Sequence, residues 1–315
     1  MARALDSWWE EMGRPDPFVV VEAGAGSGAL ARAVADAAPA CSPALRYVLV
    51  ERSEALREQQ AGTVPLEPPH WAIGPTEHEE DEVRPMAGVG PLFTSLADMP
   101  AQPFTGVVLA NELLDDLPPI LLERTTDGWA EVRVTHDGER FAELLVPAAP
   151  ELAEEAVRLA PDAPVAGRIP LQHAARDWLR RVLTVVERGR VVVVDYADAT
   201  PSMARRPWQE WLRTYRAHGR GAHPLEAPGS QDITCEVAVD QLARVRTPAA
   251  DRSQAEFLRA HGIEALAAEA RARWQERAHI GDLEAVRWRS RASEADALLD
   301  PAGLGAFRVL EWRVP

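Results

Sequence analysis

Phe18-Val19-Val20-Val21-Glu22-Ala23-Gly24-Ala25-Gly26-Ser27-Gly28-Ala29 is the stretch on which the fold turns. Its first four residues form an uninterrupted apolar and mostly β-branched run, the pattern of a strand buried on both faces of a parallel sheet. Glycines then recur at every second position, and Ala29–Ala38 spaces Leu30 and Val34 four apart, as a helix does. Strand, glycine turn and helix in that order satisfy the loose G-x-G-x-x-G/A pattern of folds that bind a nucleotide-bearing cofactor.

Outward from this unit, the same alternation continues. Residues 3–12 read as a short amphipathic helix ahead of the first strand, and Tyr47–Val50 as a second buried strand closed by Glu51. A helix over Ser53–Gln60 follows, with Ser53 as its N-cap. A third strand falls near Pro91–Thr94 and a fourth at Val107–Ala110, which runs into Asn111-Glu112-Leu113-Leu114-Asp115-Asp116-Leu117-Pro118-Pro119. Residues 62–91, with the acidic run Glu77–Glu82, read as a solvated loop. Strands alternating with helices predict an α/β fold built on a doubly wound, mostly parallel sheet. Ligands of such sheets sit beyond the carboxyl ends of the strands, where the polar residues are Glu22, Glu51, Asn111, Glu112 and Asp195.

The pattern changes after residue 120. Leu121–Glu123, Ala130–Thr135 and Phe141–Val146 are separated by Asp127-Gly128 and Asp137-Gly138, the signature of hairpin turns. Ala175, Trp178, Leu179, Val182 and Val186 share one helix face and lead into the apolar strand Val191–Val194. From Pro201 the chain reads as mostly helical, with Phe257, Leu258, Leu266, Ala270 and Trp274 as one stripe, and residues 307–314 alternate like a strand. The expected organisation is a cofactor-binding core over 1–120, an antiparallel hairpin insertion over 121–170 and a return to the core sheet over 171–200. A helical, substrate-facing region over 201–285 and C-terminal core strand over 286–315 complete it.

Composition narrows the function. The chain has 315 residues and a formal net charge of −15, so it repels phosphate backbones and anionic lipid and argues against nucleic acid and membrane insertion as partners. All 34 basic residues are arginine. With no lysine, a P-loop NTPase and a pyridoxal phosphate enzyme are both excluded. The bias toward Ala, Arg and Pro fits a GC-rich, bacterial genome. Cys41 and Cys235 are too few for a disulfide framework, and no signal peptide or bilayer-length apolar run is present, which predicts a soluble, cytoplasmic protein. No set of Cys, His and carboxylates has metal-ligand spacing, His218 and His223 included, so no metal is expected. Trp208 and Trp211 read as core rather than as an aromatic cage.

Two cofactors share the glycine pattern, NAD(P) and S-adenosyl-L-methionine. Glu22 separates them, because a carboxylate two residues before Gly24 suits a sulfonium cation and repels a diphosphate. An NAD(P)-dependent oxidoreductase would also want an acid/base such as a Tyr-Lys pair. Glu22-x-Gly24-x-Gly26-x-Gly28 resembles motif I of class I methyltransferases. Asn111-Glu112-Leu113-Leu114-Asp115-Asp116-Leu117-Pro118 resembles the Asn-Glu-x-x-Asp-Ala-Leu-Pro signature of the MidA-like family, which includes the mitochondrial complex I assembly-factor methyltransferases. Val194-Asp195-Tyr196 and Pro228-Gly229-Ser230-Gln231-Asp232-Ile233-Thr234 are similar to two further blocks of that family, and the resemblance runs from about residue 3 to the last residue. The Gly-Tyr-Tyr and Gly-Asp-Phe segment of family members is not found ahead of Glu22, which implies a late start or a more open pocket.

The resemblance implies S-adenosyl-L-methionine as cofactor and an arginine of a protein as methyl acceptor. Gly24, Gly26 and Gly28 would admit the cofactor's amino-acid tail, with a Cβ at Gly26 intruding on it, and Glu51 would hold the ribose. Asn111 would line the transfer site or else cap a following helix. Glu112, Asp115 and Asp232 are the catalytic candidates, since carboxylates match a guanidinium fork and can accept its proton. Glu112 and Asp115, three apart, would share a face if a helix begins there. A small-molecule methyltransferase and a non-catalytic assembly factor that keeps the cofactor stay open, and so does the oligomeric state, with a homodimer among the options.

Overall fold

A computed structural model describes residues 1–74, 87–216 and 219–315. The acidic run Glu77–Glu82 and His218, both singled out above, lie outside the described residues. The chain opens with α1 (Ala2–Glu11), β1 (Phe18–Ala23), α2 (Ala29–Ala37), β2 (Leu45–Val50) and α3 (Glu54–Thr63). Next come α4 (Pro69–Ile73), β3 (Leu92–Leu96) and β4 (Phe104–Asn111). The hairpin segment holds β5 (Ile120–Thr125), β6 (Gly128–His136), β7 (Phe141–Pro147), α5 (Pro150–Leu159) and β8 (Arg168–Leu171). Then follow α6 (His173–Val185), β9 (Val186–Asp195), β10 (Ala197–Asp198), α7 (Thr200–Met203), β11 (Leu212–Arg216) and β12 (Gly219–Arg220). The remainder is β13 (Asp232–Cys235), β14 (Val237–Ala238), α8 (Val239–Ala243), β15 (Ala250–Ser253), α9 (Gln254–Ala260), α10 (Ile263–Arg277), α11 (Leu283–Leu299) and β16 (Arg308–Val314).

Two compact units result. One comprises Met1–Asn111, Val182–Val194 and Pro248–Pro315, the other Glu112–Arg181 and Asp195–Thr247. The first contains a seven-stranded sheet in the order β15-β16-β9-β4-β1-β2-β3. β1 pairs in parallel with β2 and β4, and the parallel pairing continues from β2 to β3 and from β4 to β9, while β15 and β16 are antiparallel. Every residue of β1 and β2 is buried, as their continuous apolar runs require. Phe18, Val20, Tyr47, Leu49, Val107 and Leu109 share one core with Ala4, Leu5 and Trp8 of α1 and Ala31 and Val34 of α2. Each such fully buried Leu, Val or Phe side chain contributes about 1.5–3 kcal/mol. Sequence neighbours β1, β2 and β3 lie on one side and β4 on the other, so the strand order reverses between β1 and β4. That is the point at which ligands bind in open α/β sheets.

In the second unit, β7, β6, β5 and β8 form an antiparallel sheet with turns at Asp127-Gly128 and Asp137-Gly138, where the hairpins were expected. The Asp137 carboxylate accepts from the Glu139 and Arg140 N–H groups and so fixes its turn. The region 201–285 departs from the helical expectation. Residues 212–235 form a three-stranded sheet in the order β12-β11-β13, and continuous helix begins only at Gln254. The expected apolar stripe is also broken: Gly262, at φ +82°, separates α9 from α10, and Leu266 is exposed while Ile263, Ala267 and Ala270 are buried. The final segment, 286–315, contains most of α11 as well as the strand β16.

Candidate functional site

At the carboxyl end of β1 the chain turns through Gly24, Gly26 and Gly28, at φ +74°, +54° and +85°, a region that L side chains rarely adopt. The N–H groups of Gly24 and Ala25 both donate to the Val50 carbonyl at the end of β2, which binds the turn to the neighbouring strand. A Cβ at Gly28 would lie 3.0 Å from Leu49 Cδ2, so Gly28 is required by packing as well as by its backbone. A Cβ at Gly26 would meet no protein atom within 4 Å. The turn thus borders open space at Gly26.

Glu51 follows β2. Its carboxylate accepts from the N–H of Gly26 at 3.0 Å and of Ser53 at 2.8 Å, and the residue stays partly exposed. Two of roughly four lone-pair sites are used, leaving acceptors for the hydroxyls of a ribose. Glu22 is buried, with Oε2 accepting from the Tyr47 hydroxyl at 2.8 Å. Burial pushes its carboxyl up to about 7, against the opposing effect of that hydrogen bond. Asn111 closes β4 and is exposed. These residues, all in the first unit, include every one expected to bind cofactor.

The acids of the second unit come from separate stretches of its sequence. No helix begins after Asn111; Glu112 sits in the left-handed region at φ +49° and residues 112–119 form an irregular turn ending at Pro118-Pro119. Glu112 and Asp115 are therefore brought together by a turn rather than by a helix face. The Asp195 carboxylate holds that turn, accepting from the N–H groups of Leu114 at 3.1 Å and Asp115 at 3.3 Å. The Asp115 carbonyl accepts from the Cys235 N–H at 2.9 Å, which ties the turn to β13, the strand that Asp232 begins. Ahead of Asp232, Gln231 donates to the carbonyls of His223 and Glu226 and accepts from Ala222, so the Pro228–Thr234 block is shaped by one amide.

Asp115 is 3% exposed, and its Oδ2 accepts from the Tyr196 hydroxyl. Its Oδ1 has no hydrogen-bond partner among the described residues. Burial raises the Asp115 carboxyl, and the charges of Glu112 and Asp232 add to that. Asp195 is raised further, by burial and then by Asp115. Asp116 is exposed as a residue, yet its carboxyl lies against the cluster and is pushed up to about 7, by desolvation first and then by Asp115, Asp232 and Glu112. Glu112 and Asp232, the other two predicted acids, thus both bear on Asp115. Asp116, Asp195 and Tyr196 join them; Asp195 and Tyr196 were visible as the polar end of an apolar strand, without a role.

Among the described residues no group of three or more His, Cys, Asp and Glu could hold a metal ion. His223 instead accepts from the Leu225 N–H and packs edge-on to Trp208. Trp211 is fully buried. No helix among the described residues is long and apolar enough to cross a membrane.

A parallel sheet reversing between β1 and β4, with a glycine turn after β1 and a carboxylate after β2, has the architecture of a class I S-adenosyl-L-methionine-dependent methyltransferase. Residues 1–257 match a family described as "Putative S-adenosyl-L-methionine-dependent methyltransferase". The chain belongs to that family, the MidA-like methyltransferases, whose cofactor is S-adenosyl-L-methionine. An uncharacterized protein from Burkholderia thailandensis superposes with a TM-score of 0.77 at 26% identity, over 99% of this chain and 77% of its own. A second structure from that organism, described as a "likely methyl transferase" and bound to S-adenosyl-homocysteine, gives 0.77 at 25% identity, over 99% and 74%. No curated protein matches the chain.

Proposed function

We propose that the protein transfers a methyl group to a guanidinium nitrogen of an arginine in a protein substrate. The observation that carries this reading is Asp115: a buried carboxylate, fixed through one oxygen by Tyr196, with the other oxygen unpartnered among Glu112, Asp116 and Asp232. An acceptor left unsatisfied in such surroundings is stabilised most by a cation that brings several N–H donors, and a guanidinium is a planar fork of five.

Bound S-adenosyl-L-methionine supplies an electrophilic methyl group on a positively charged sulfur. Gly24, Gly26 and Gly28 let the backbone run against its amino-acid tail, Glu51 accepts from its ribose hydroxyls, and Glu22, once it has lost its proton, offers a carboxylate to its positive charge. Asn111, the residue before Glu112, lines the transfer position. Glu112 and Asp115 bind the guanidinium and orient one nitrogen, and Asp232 adds negative charge. As the new C–N bond forms and the methyl–sulfur bond breaks, leaving a neutral thioether, that nitrogen loses a proton to a carboxylate, for which Glu112, the more exposed acid, is the assigned acceptor. Holding both reactants in line supplies most of the acceleration.

The test is mass spectrometry of the host proteome from cells lacking this gene, complemented either with the wild-type chain or with Glu112→Gln. A methylarginine mark that disappears on deletion and returns only with the wild-type chain is expected. A lost mark on an atom other than a cationic nitrogen overturns the arginine reading, and no lost mark overturns the protein-substrate reading in favour of a small-molecule acceptor or an assembly factor.

A further inference from the structure

Gly26 is held at both of its backbone polar groups by side chains remote in sequence. Its N–H donates to Glu51 Oε2 at 3.0 Å, and its carbonyl accepts from Gln60 Nε2 at 2.7 Å. Gln60 projects from α3, is fully buried, and its own Oε1 accepts from the Ser95 hydroxyl of β3 at 2.6 Å. Both ends of the amide are thereby assigned, since a flipped amide would set oxygen against the Gly26 carbonyl.

The other N–H groups of the turn are used internally. Those of Gly24 and Ala25 go to Val50, and that of Gly28 goes to Ala25. The Ser27 N–H alone in Gly24–Gly28 has no bond among the described residues. In a trans peptide the carbonyl of one residue and the N–H of the next point to opposite sides. Drawing the Gly26 carbonyl toward Gln60 therefore turns the Ser27 N–H away from α3. The space beside Gly26 is open, with nothing within 4 Å of an added Cβ.

We infer that Gln60, braced by Ser95, is a positioning residue for the amino-acid tail of the cofactor: it fixes the Gly26–Ser27 peptide so that the Ser27 N–H is presented to the tail's carboxylate. This rests on the glycine turn being the tail's binding site, and it adds a selectivity. Gln60 should matter for ligands that carry the tail and not for those that lack it. A glutamine kept only to satisfy a buried carbonyl would show no such selectivity.

Calorimetric titration with S-adenosyl-homocysteine and with methylthioadenosine, which has the adenosine and thioether but no amino-acid tail, separates the two. Gln60→Met keeps the volume and removes both bonds, and it should weaken S-adenosyl-homocysteine about tenfold while leaving methylthioadenosine within about twofold. Ser95→Ala frees the amide to rotate without opening the core and should act in the same direction, by about threefold. Equal loss for both ligands, or no loss for either, overturns the role of Gln60. Should Gln60→Met fail to fold, Ser95→Ala decides alone by the same criterion. A wild-type chain that binds methylthioadenosine and S-adenosyl-homocysteine equally well overturns the placement of the tail itself.

Discussion

The glycine turn of the first unit and the acidic turn of the second are built on opposite terms. Around Gly24–Gly28 almost every polar group has a partner: two N–H groups on Val50, one on Glu51, and a carbonyl on Gln60. Around Glu112–Asp116, like charges crowd together, one buried oxygen is unpartnered among the described residues, and a non-glycine residue sits at φ +49°. The first arrangement is what a constant ligand needs, a rigid shape with its hydrogen bonds already made. The second stores unfavourable electrostatics and backbone strain of the kind that functional positions retain. The proposed function thus assigns affinity and chemistry to differently constructed parts of the chain.

The sharpest way to break that contrast is Gly26→Val. It forces a β-branched side chain to φ +54°, a strain of about 1–3 kcal/mol, and fills the open space beside the turn. Binding of S-adenosyl-homocysteine should fall more than about 100-fold by calorimetry, while circular dichroism keeps the wild-type shape. Retained binding would mean that the ligand does not approach the turn. Glu112→Gln tests the other side. Turnover on the identified acceptor should drop about 100-fold, as for loss of a general base, with S-adenosyl-homocysteine affinity within about twofold. Adding Asp115→Asn should cost less than the sum of the two single changes if both acids serve one guanidinium.

Tyr196→Phe should have a smaller effect, about tenfold on turnover at neutral pH. The Tyr196 hydroxyl stabilises the charged form of Asp115. Its removal raises that carboxyl further, so the acid limb of the pH–turnover profile should move to higher pH. An unmoved limb with a lowered melting temperature would reduce Tyr196 to packing. The smallest effect is expected for Glu22→Gln in the absence of ligand. The folded protein holds a proton on Glu22 up to about pH 7, whereas the unfolded chain releases it near 4.5. Stability therefore falls as pH rises through that window and levels off above it. Glu22→Gln keeps an acceptor for Tyr47 and should flatten this slope in pH-dependent denaturation; an unchanged slope would place its origin elsewhere.

How far the sequence could be read follows the length of the contacts. The β1–glycine–α2 unit and the Asp-Gly hairpins are local patterns, and their positions agree with the structure within a few residues. The acids were legible as a set, but not the means that assembles them. Asp195 reaches Leu114 and Asp115 across some eighty positions, and a turn with the left-handed Glu112 and Pro118-Pro119 stands where a helix would have put both acids on one face. Gln60 was read only as the end of a helix, since nothing local marks a glutamine that serves Gly26. The strands of 201–253 were missed because they are two to five residues long, too short for alternation to show. The start of α5 carried a signal in Pro150, a residue favoured in the first helical turn.

Strand β16 lies between β15 and β9 in the sheet, yet it is synthesised after every other strand. β1, β2 and β4, with the glycine turn and Glu51, leave the ribosome far earlier. Throughout that interval the edge of β9 is open to a foreign strand, and Arg190, buried in the finished protein, lacks the Glu311 carboxylate that will sit 3.3 Å from it. A nascent chain that already possesses its cofactor turn can be held in shape by the cofactor before its own last strand arrives.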